Sequence, residues 1–328
     1  MPGNKVTVIG FTGSGKTTYL TGMYICMSMG VKHFSLLAKD RDMDLYLENL
    51  WDMMCHGQKP DPSSRVEKYD FHIAHNLTPV CDFQWLDYPG GILADPSHEY
   101  REKLEEDIKD SDCLLLILDG EKFAVAASDL DEYKEKLKKK IKYDRGFREE
   151  QKMLMRLSAD GIQLPPIGLV VTKCDLIEGK YQEALSEVIR DSFKEIFEGS
   201  ERVVLLMSVS LGGEIEDGFI PEPFCVEQPI AFAVLTILLK YIKELQNRKN
   251  RGRTYLEQHD KLIGRIFNPK KIREMHEMVR ELGEAADKWS GDAFKLLELF
   301  KETKTIYIEG EKYKLQEYYR NAFIDVSE

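Results

Sequence analysis

Short hydrophobic runs alternate with longer amphipathic segments over most of this chain. Continuous apolar or β-branched runs are typical of parallel strands that are covered on both faces of a sheet. Such runs occupy residues 5–9, 113–118, 167–171 and 202–207. Residues 66–75 and 80–86 instead alternate between apolar and polar positions, which predicts two adjacent strands that form an antiparallel pair.

The segments between these runs place their apolar residues at helical spacing. Helices are predicted at residues 129–141, 148–157, 181–197 and 230–245. Buried strands that alternate with helices are typical of an α/β fold. We therefore predict a doubly wound, mostly parallel sheet.

The chain changes character after residue 246. Residues 248–273 hold nine Lys or Arg and only two acidic residues, and apolar residues then recur at helical spacing over residues 272–289. Residues 305–315 predict a small hairpin that turns at Glu309 and Gly310. We predict an α/β domain over residues 1–246 and a mainly helical appendage, including the hairpin, over residues 247–328.

Composition argues against several classes of function. The formal net charge of −11 disfavours wrapping of duplex nucleic acid, because that binding depends on Lys and Arg neutralising phosphates. The six cysteines are scattered without a CxxC pair, as is typical of free thiols in a reducing compartment. The N-terminus leads directly into a strand without a secretory leader pattern, and the most apolar stretch, residues 230–239, is too short to span a bilayer. We expect a cytoplasmic protein without a membrane span.

The segment Gly10-Phe-Thr-Gly-Ser-Gly-Lys-Thr17 matches the phosphate-loop pattern GxxxxGK[ST] in full. It lies between a predicted strand and a predicted helix, which is the context that such a loop requires. Its glycines let consecutive backbone N–H groups turn toward an anion, and Lys16 supplies a positive charge for the outer phosphates. Thr17 is a candidate Mg²⁺ ligand through its hydroxyl, and Gly10 and Thr12 are candidate nucleotide contacts in the same loop.

A second motif, Asp87-Tyr-Pro-Gly90, follows the predicted strand 80–86. A carboxylate at a strand end can hold a magnesium-bound water, and a glycine three residues later can turn its N–H toward a γ-phosphate. We predict that Asp87 serves the metal and that Gly90 senses the state of the nucleotide. The alternative is an ordinary surface turn.

A third motif, Thr172-Lys173-Cys174-Asp175, directly follows the predicted strand 167–171. Its side chains are therefore expected at the carboxyl end of the sheet, where ligands bind in open α/β folds. An ionised Asp175 can accept from the ring N–H and the exocyclic amine of guanine together, and adenine offers neither donor at those positions. Lys173 is expected along the base and the phosphate loop, and Thr172 is expected to bind neighbouring backbone. The motif predicts a preference for guanine.

The residues after the last predicted strand are candidates for a further base contact. Ser208-Val209 could present a backbone N–H to the guanine carbonyl. Ser210-Leu211 is an alternative register for the same contact.

These motifs in this order resemble the guanine-nucleotide domain shared by Ras-like and translation-factor-related GTPases, over residues 4–246. The segment GFTGSGKTTYLTGMY and the hairpin ending in DYPGG further resemble predicted bacterial GTPases of the double-GTPase type, which are associated with conflict and defence systems. The resemblance implies a P-loop NTPase fold that binds GTP or GDP with Mg²⁺ and hydrolyses GTP as a molecular switch. It implies magnesium at Thr17 with Asp87 in its outer shell, guanine recognition by Lys173 and Asp175, and phosphate binding by Gly13, Ser14, Gly15, Lys16, Thr17 and Thr18. Lys16 and Gly90 are the candidate catalytic residues.

Two departures from the resemblance affect the expected chemistry. No threonine occurs between Thr21 and Thr78, so Ser63 or Ser64 would replace the switch threonine that contacts magnesium. Of the two, Ser64 is the candidate magnesium ligand. Gly91 stands where Ras-like enzymes carry a glutamine that orients water, so slow intrinsic hydrolysis is expected without a partner. Water positioning would then come from a partner's arginine, or from His98, Arg101 or Arg65.

Three functions stay open at this point. The first is a GTP-hydrolysing switch with a regulatory or defence role, and the second is a GTP-loaded scaffold that hardly hydrolyses. The third is a P-loop ATPase or kinase, which has no need for Asp175. An effector or activating protein is the expected partner, through the switch loops or the appendage, and the appendage is also a candidate homodimer surface.

Overall fold

The computed structural model describes residues 3–95, 97–259 and 269–327 of the chain. Within these residues the strands form one nine-stranded sheet. They are β1 (Lys5–Ile9), β2 (Phe34–Ala38), β3 (Glu67–His75), β4 (Thr78–Asp87), β5 (Cys113–Leu118), β6 (Ile167–Val171), β7 (Val203–Ser208), β8 (Thr305–Ile308) and β9 (Glu311–Lys314).

Helices connect most of these strands. They are α1 (Lys16–Ser28), α2 (Arg41–Cys55), α3 (Gly91–Ala94), α4 (Arg101–Asp110), α5 (Leu130–Tyr143), α6 (Arg145–Ala159), α7 (Gln182–Ser192), α8 (Lys194–Phe197), α9 (Gln228–His259), α10 (Pro269–Leu297) and α11 (Leu315–Ser327). Short 3₁₀ turns span Gly120–Phe123, Cys174–Leu176 and Gly179–Tyr181.

The sheet is mixed, with a parallel centre. Its strand order is β2-β3-β4-β1-β5-β6-β7-β8-β9. The neighbours from β4 to β7 pair in parallel, whereas β2 with β3, β3 with β4 and β7 with β8 pair antiparallel. The fully buried β5 and β6 lie in this centre, which confirms the expectation of an α/β fold from their continuous apolar runs.

The register brings five strand ends to one edge of the sheet. Asp87 of β4 lies beside Val8 of β1, and Val171 of β6 lies between Leu118 of β5 and Ser208 of β7. The loops that follow these strands therefore start side by side. All three predicted motifs leave the sheet at this edge, because each follows the carboxyl end of a parallel central strand.

The predicted antiparallel pair of strands is confirmed as β3 and β4. The structure also contains β2, which lengthens the sheet on the outer side of β3. The single helix predicted over residues 181–197 is wrong. Phe193 leaves the helical backbone with ψ 30° and separates α7 from α8, and the turn lets the buried Phe193 and Phe197 side chains reach the core.

Helix α9 continues well beyond the predicted helix at residues 230–245. The Arg- and Lys-rich residues that follow are good helix formers, so the helix persists to His259 although the apolar pattern changes. The predicted domain boundary at residue 246 thus lies inside a helix. Residues 260–268 of the basic segment lie outside the described residues.

The chain forms two compact units. The first contains Met1–Ala233 and Thr305–Tyr313, and the second contains Val234–Lys304 and Lys314–Glu328. The predicted hairpin turn is present at Glu309 and Gly310, where φ is 50° and 86°. Because β8 pairs with β7, the hairpin extends the sheet of the first unit. Across the described helices, none combines the length and the apolar character that crossing a membrane requires.

Candidate functional site

The loop between β1 and α1 has the backbone of a tight glycine-rich turn. Gly13 and Gly15 adopt φ of 84° and 85°, values that only glycine reaches without strain. The Ser14 N–H closes the turn onto the Phe11 carbonyl over 3.1 Å. A Cβ at Gly10 would stand 2.5 Å from the Ile117 carbonyl oxygen, so glycine is also needed where the loop leaves the sheet.

Lys16 is buried at the first position of α1. Its Nζ donates to the Gly10 carbonyl over 2.8 Å, so the side chain folds back over its own loop. Burial lowers the pKa of Lys16, while the nearby carboxyls of Asp87 and Glu150 act in the opposite direction. The Lys16 ammonium is therefore shielded from solvent, and the carboxyls of Asp87 and Glu150 are close enough to interact with it electrostatically.

Asp87 ends β4 as a buried carboxyl, only 1% exposed. Neither of its oxygens has a hydrogen-bond partner among the residues that the structure describes. Burial raises the pKa of Asp87 to about 6, against the lowering effect of Lys16 and with a small raising effect of Glu67. A buried carboxylate of this kind calls for a cation or water to satisfy it.

Gly90 lies directly against the phosphate loop. A Cβ at Gly90 would stand 2.4 Å from the Thr12 nitrogen and 2.7 Å from the Thr12 Cα. The next residue, Gly91, begins α3 and has open space where a side chain would be. Position 90 therefore accepts no side chain without moving the loop, whereas position 91 does.

The loop after β6 is fixed to the phosphate loop by hydrogen bonds. The Thr172 hydroxyl donates to the Ser14 carbonyl over 2.8 Å and lies 3.2 Å from the Leu118 carbonyl. Lys173 takes the left-handed backbone conformation with φ 50°, and its Nζ lies 2.9 Å from Asp119 Oδ1 and 3.0 Å from Glu121 Oε2. These side chains join the two motifs into one site.

A cavity of about 390 Å³ opens over this edge of the sheet. The predicted site residues on its wall are Thr12, Gly13, Gly15, Lys16, Thr17, Thr18, Gly90, Thr172, Lys173, Asp175 and Val209. Ser63 also lines it, whereas Ser64 is exposed and is not on the wall. Gly10, Ser14, Asp87 and Ser208 are not on the wall.

The segment after β7 meets the cavity at Val209, Ser210 and Leu211. The Ser208 hydroxyl instead lies 3.5 Å from Gln182 Oε1. The Val209 N–H donates to the Val171 carbonyl over 2.8 Å, so it is already used in the strand pairing. The Ser210 N–H is likewise used, because it donates to the Phe224 carbonyl over 3.2 Å.

The side chains named for water positioning do not line the cavity. Arg65 pairs with Glu67 over 2.8 Å, and Arg101 pairs with Glu105 over 3.0 Å. His98 Nδ1 accepts from the Tyr100 N–H over 3.3 Å. In this conformation each of the three is engaged with its own local neighbours.

Sequence reasoning missed two features of the site. The acidic residues Asp119 and Glu121 follow β5 at the same sheet edge as the motifs, so their position was a usable signal. Glu150 of α6 accepts a hydrogen bond from the Phe11 N–H over 3.0 Å. Its signal was a charged residue on the apolar stripe that includes Phe147 and Leu154.

The residues of the site fit a magnesium ion bound together with a phosphate. Thr17 lines the cavity beside Lys16, and both oxygens of the buried Asp87 lack a hydrogen-bond partner among the described residues. In the described part of the chain, no group of three or more His, Cys, Asp or Glu could hold a metal on its own. Mg²⁺ commonly keeps several waters and binds phosphate oxygens beside one or two protein ligands.

No protein family model matches the chain, and no curated protein matches it. Solved structures that resemble it include a bacterial selenocysteine-specific elongation factor EF-Sec, at 13% identity and a TM-score of 0.33, covering 63% of this chain and 26% of that chain. A GTP-binding protein from the archaeon Sulfolobus solfataricus in complex with GDP shows 15% identity and a TM-score of 0.32, covering 63% and 46%. The signal recognition particle receptor SRb-GTP/SRX complex from Chaetomium thermophilum shows 17% identity and a TM-score of 0.36, covering 65% and 93%.

The chain spans less than half the length of the first two of these proteins. Such low identities and TM-scores do not place it in a family.

Proposed function

We propose that this protein binds GTP and GDP with Mg²⁺ and hydrolyses GTP slowly, as a molecular switch with a regulatory or defence role. The observation that carries the proposal is the hydrogen bond from Thr172 to Ser14, which joins the loop after β6 to the loop after β1 beside one cavity. The doubly wound P-loop NTPase class, and its conflict-associated double-GTPase type, form part of this proposal.

The phosphates would bind over the loop. The positive φ of Gly13 and Gly15 shapes the turn, and the N-terminus of α1 adds positive potential. The Lys16 ammonium has three N–H donors, of which the Gly10 carbonyl accepts one. Thr17 and Asp87 would hold the magnesium ion, which neutralises phosphate charge when it is bound.

The base would bind between the loops after β6 and β7. Asp175 supplies the carboxylate on the cavity wall, and Leu176 and Leu211 supply apolar surface nearby. Lys173 is held by Asp119 and Glu121, and its Nζ lies 3.5 Å from the Gly13 carbonyl. This network fixes the lysine along the path from the phosphates to the base.

The switch would be the contact between Gly90 and the loop. A Cβ at Gly90 has no room beside Thr12, so the Gly90 peptide lies against the phosphate loop and would be near a γ-phosphate bound there. The segment 59–63 also lines the cavity and includes Ser63, which in this proposal takes the switch role instead of Ser64. Loss of the γ-phosphate would release both segments to an effector or activating protein.

The test is competition for labelled GTP by GTP, ATP and XTP, with wild type and Asp175→Asn. In wild type GTP should outcompete ATP. The variant loses a charged acceptor for two guanine donors, so its GTP affinity should fall at least about a hundredfold and its preference should shift to XTP. Equal competition by ATP, with no effect of the substitution, would instead support a P-loop ATPase or kinase.

A second candidate function is a GTP-loaded scaffold with little hydrolysis. It is favoured by Gly91, which offers no side chain for water, and by the engagement of Arg65 and Arg101 with neighbouring acids. Single-turnover hydrolysis with and without cellular partners separates the two functions. A scaffold would keep its GTP in both conditions, and a switch would be accelerated by its partner, by a factor of about 10³ to 10⁵ where the partner supplies an arginine.

A further inference from the structure

Glu150 is a carboxyl in the core of the first unit. It lies on the apolar stripe of α6 with Phe147, Leu154 and Leu157, and it is 2% exposed. One oxygen, Oε2, has no hydrogen-bond partner among the described residues. A carboxyl in such a place is costly to ionise, so its position needs a reason beyond packing.

Its other oxygen binds the phosphate loop. Glu150 Oε1 accepts from the Phe11 N–H over 3.0 Å, and Lys16 Nζ donates to the Gly10 carbonyl over 2.8 Å. The Gly10 carbonyl and the Phe11 N–H belong to the same peptide group. Glu150 and Lys16 therefore hold one peptide from its two ends, and a carboxylate at one end stabilises an ammonium at the other.

The charged groups around Glu150 come from three elements. Lys16 lies at the start of α1, Lys122 lies in the 3₁₀ turn after β5, and Asp144 caps α6. Lys122 is paired with Asp144 over 2.9 Å, so its charge is already largely compensated. Burial raises the pKa of Glu150 to about 8, opposed by the Phe11 N–H, Lys122 and Lys16.

We infer that Glu150 is a positioning residue of the phosphate loop, and that binding of a phosphate there is coupled to uptake of a proton by Glu150. This inference rests on the proposed nucleotide binding. The phosphate attracts the Lys16 ammonium and adds negative charge on the far side of the shared peptide. Both effects disfavour a second, unsolvated negative charge at Glu150. Glu150 therefore takes up a proton from solvent when the phosphate binds.

The test measures GDP binding by wild type, Glu150→Gln and Glu149→Gln from pH 7 to pH 9. Glutamine keeps an acceptor for the Phe11 N–H but cannot titrate. Wild-type affinity should fall roughly tenfold over this range, since a single coupled proton allows up to about tenfold per pH unit. Glu150→Gln should change less than about twofold. Glu149 pairs with Lys152 on the same helix, so Glu149→Gln should keep the wild-type slope.

Calorimetry of the wild type in Tris and in HEPES at pH 8 gives a readout that needs no variant. The apparent binding enthalpy should differ between the two buffers because each proton taken up adds the ionisation enthalpy of the buffer. The difference should correspond to an uptake of up to one proton per GDP.

A parallel shift of the whole profile in Glu150→Gln would show a merely structural role and overturn the inference. So would a wild type that binds GDP without proton uptake. Titration of Lys16 instead of Glu150 would make the variant steeper than the wild type, which also contradicts it. Absence of GDP binding in all three proteins at every pH would overturn the proposed function itself, and the inference with it.

Discussion

Glu150 and Lys16 bind opposite ends of a single peptide group, the one that joins Gly10 to Phe11. The contact links a helix on the far side of the loop to the lysine that faces the cavity. It fixes the orientation of the first peptide of the phosphate loop between the buried Lys16 ammonium and the buried Glu150 carboxyl. The stability of the empty protein and its affinity for phosphate should therefore both depend on Glu150.

The nucleotide-free protein should lose stability as pH rises, because of Glu150. Its folded pKa of about 8 lies above the ordinary value of 4.5, so folding binds a proton between these two pH values. The contribution of the protonated Glu150 to the free energy of unfolding is complete below about pH 4.5 and is lost as pH rises toward 8. Glu150→Gln should be more stable than wild type at pH 8.5 by on the order of 3 kcal/mol.

Urea unfolding at pH 5 and pH 8.5 measures this difference. The advantage of the variant should shrink markedly at pH 5, where the wild-type carboxyl is neutral. An equal difference at both pH values would mean that the change acts through packing rather than through charge.

Thr172→Val should loosen the contact between the phosphate loop and the guanine motif. The substitution removes the buried hydroxyl and leaves the Ser14 carbonyl without its 2.8 Å partner, at a cost of about 1–2 kcal/mol in the free energy of unfolding. GTP affinity should fall with it, since the two halves of the site are no longer fixed together. Thr172→Ser is the matched control, because it keeps the hydroxyl and should bind GTP within about threefold of wild type.

Gly90→Ala should damage the site while Gly91→Ala should not. The new Cβ at position 90 meets the Thr12 backbone at 2.4 Å, which no rotation can relieve, so we expect a loss of about 1–3 kcal/mol and weaker GTP binding. At position 91 nothing lies within 4 Å of the new atom, and stability should stay within about 0.5 kcal/mol. Thermal unfolding and GTP titration of the pair check this. Similar behaviour of the two variants would rule out the close contact with Thr12.

Asp119→Asn should weaken GTP binding more than Glu121→Gln. Both acids lie about 3 Å from Lys173 Nζ, but the Asp119 side chain is 15% exposed and that of Glu121 is 68% exposed. Solvent and salt screen the exposed pair, so we expect roughly a tenfold loss for Asp119→Asn and less than about threefold for Glu121→Gln. Titrations at low and high salt measure both losses. A larger effect of Glu121→Gln would assign the support of Lys173 to the exposed residue instead.

Patterns within short segments predicted much of this protein. The buried runs at Cys113–Leu118 and Ile167–Val171 predicted the first and last residue of their strands, because a strand covered on both faces has no polar position. The phosphate-loop pattern likewise located its own turn between β1 and α1, because the glycines it requires are the residues that reach positive φ. Those are local properties, and the local chain encodes them.

Contacts between distant segments depended on the tertiary structure. The hydrogen bonds of Glu150 to Phe11 and of Thr172 to Ser14 join residues more than a hundred positions apart, so no periodicity signals them. The addition of β8 to the edge of the main sheet, and the continuation of α9 through residue 246, were equally hidden. The sequence by itself located the three motifs of the proposed nucleotide site. The pairing of the strands decided which of them share a cavity, because only the shared sheet edge brings their loops together.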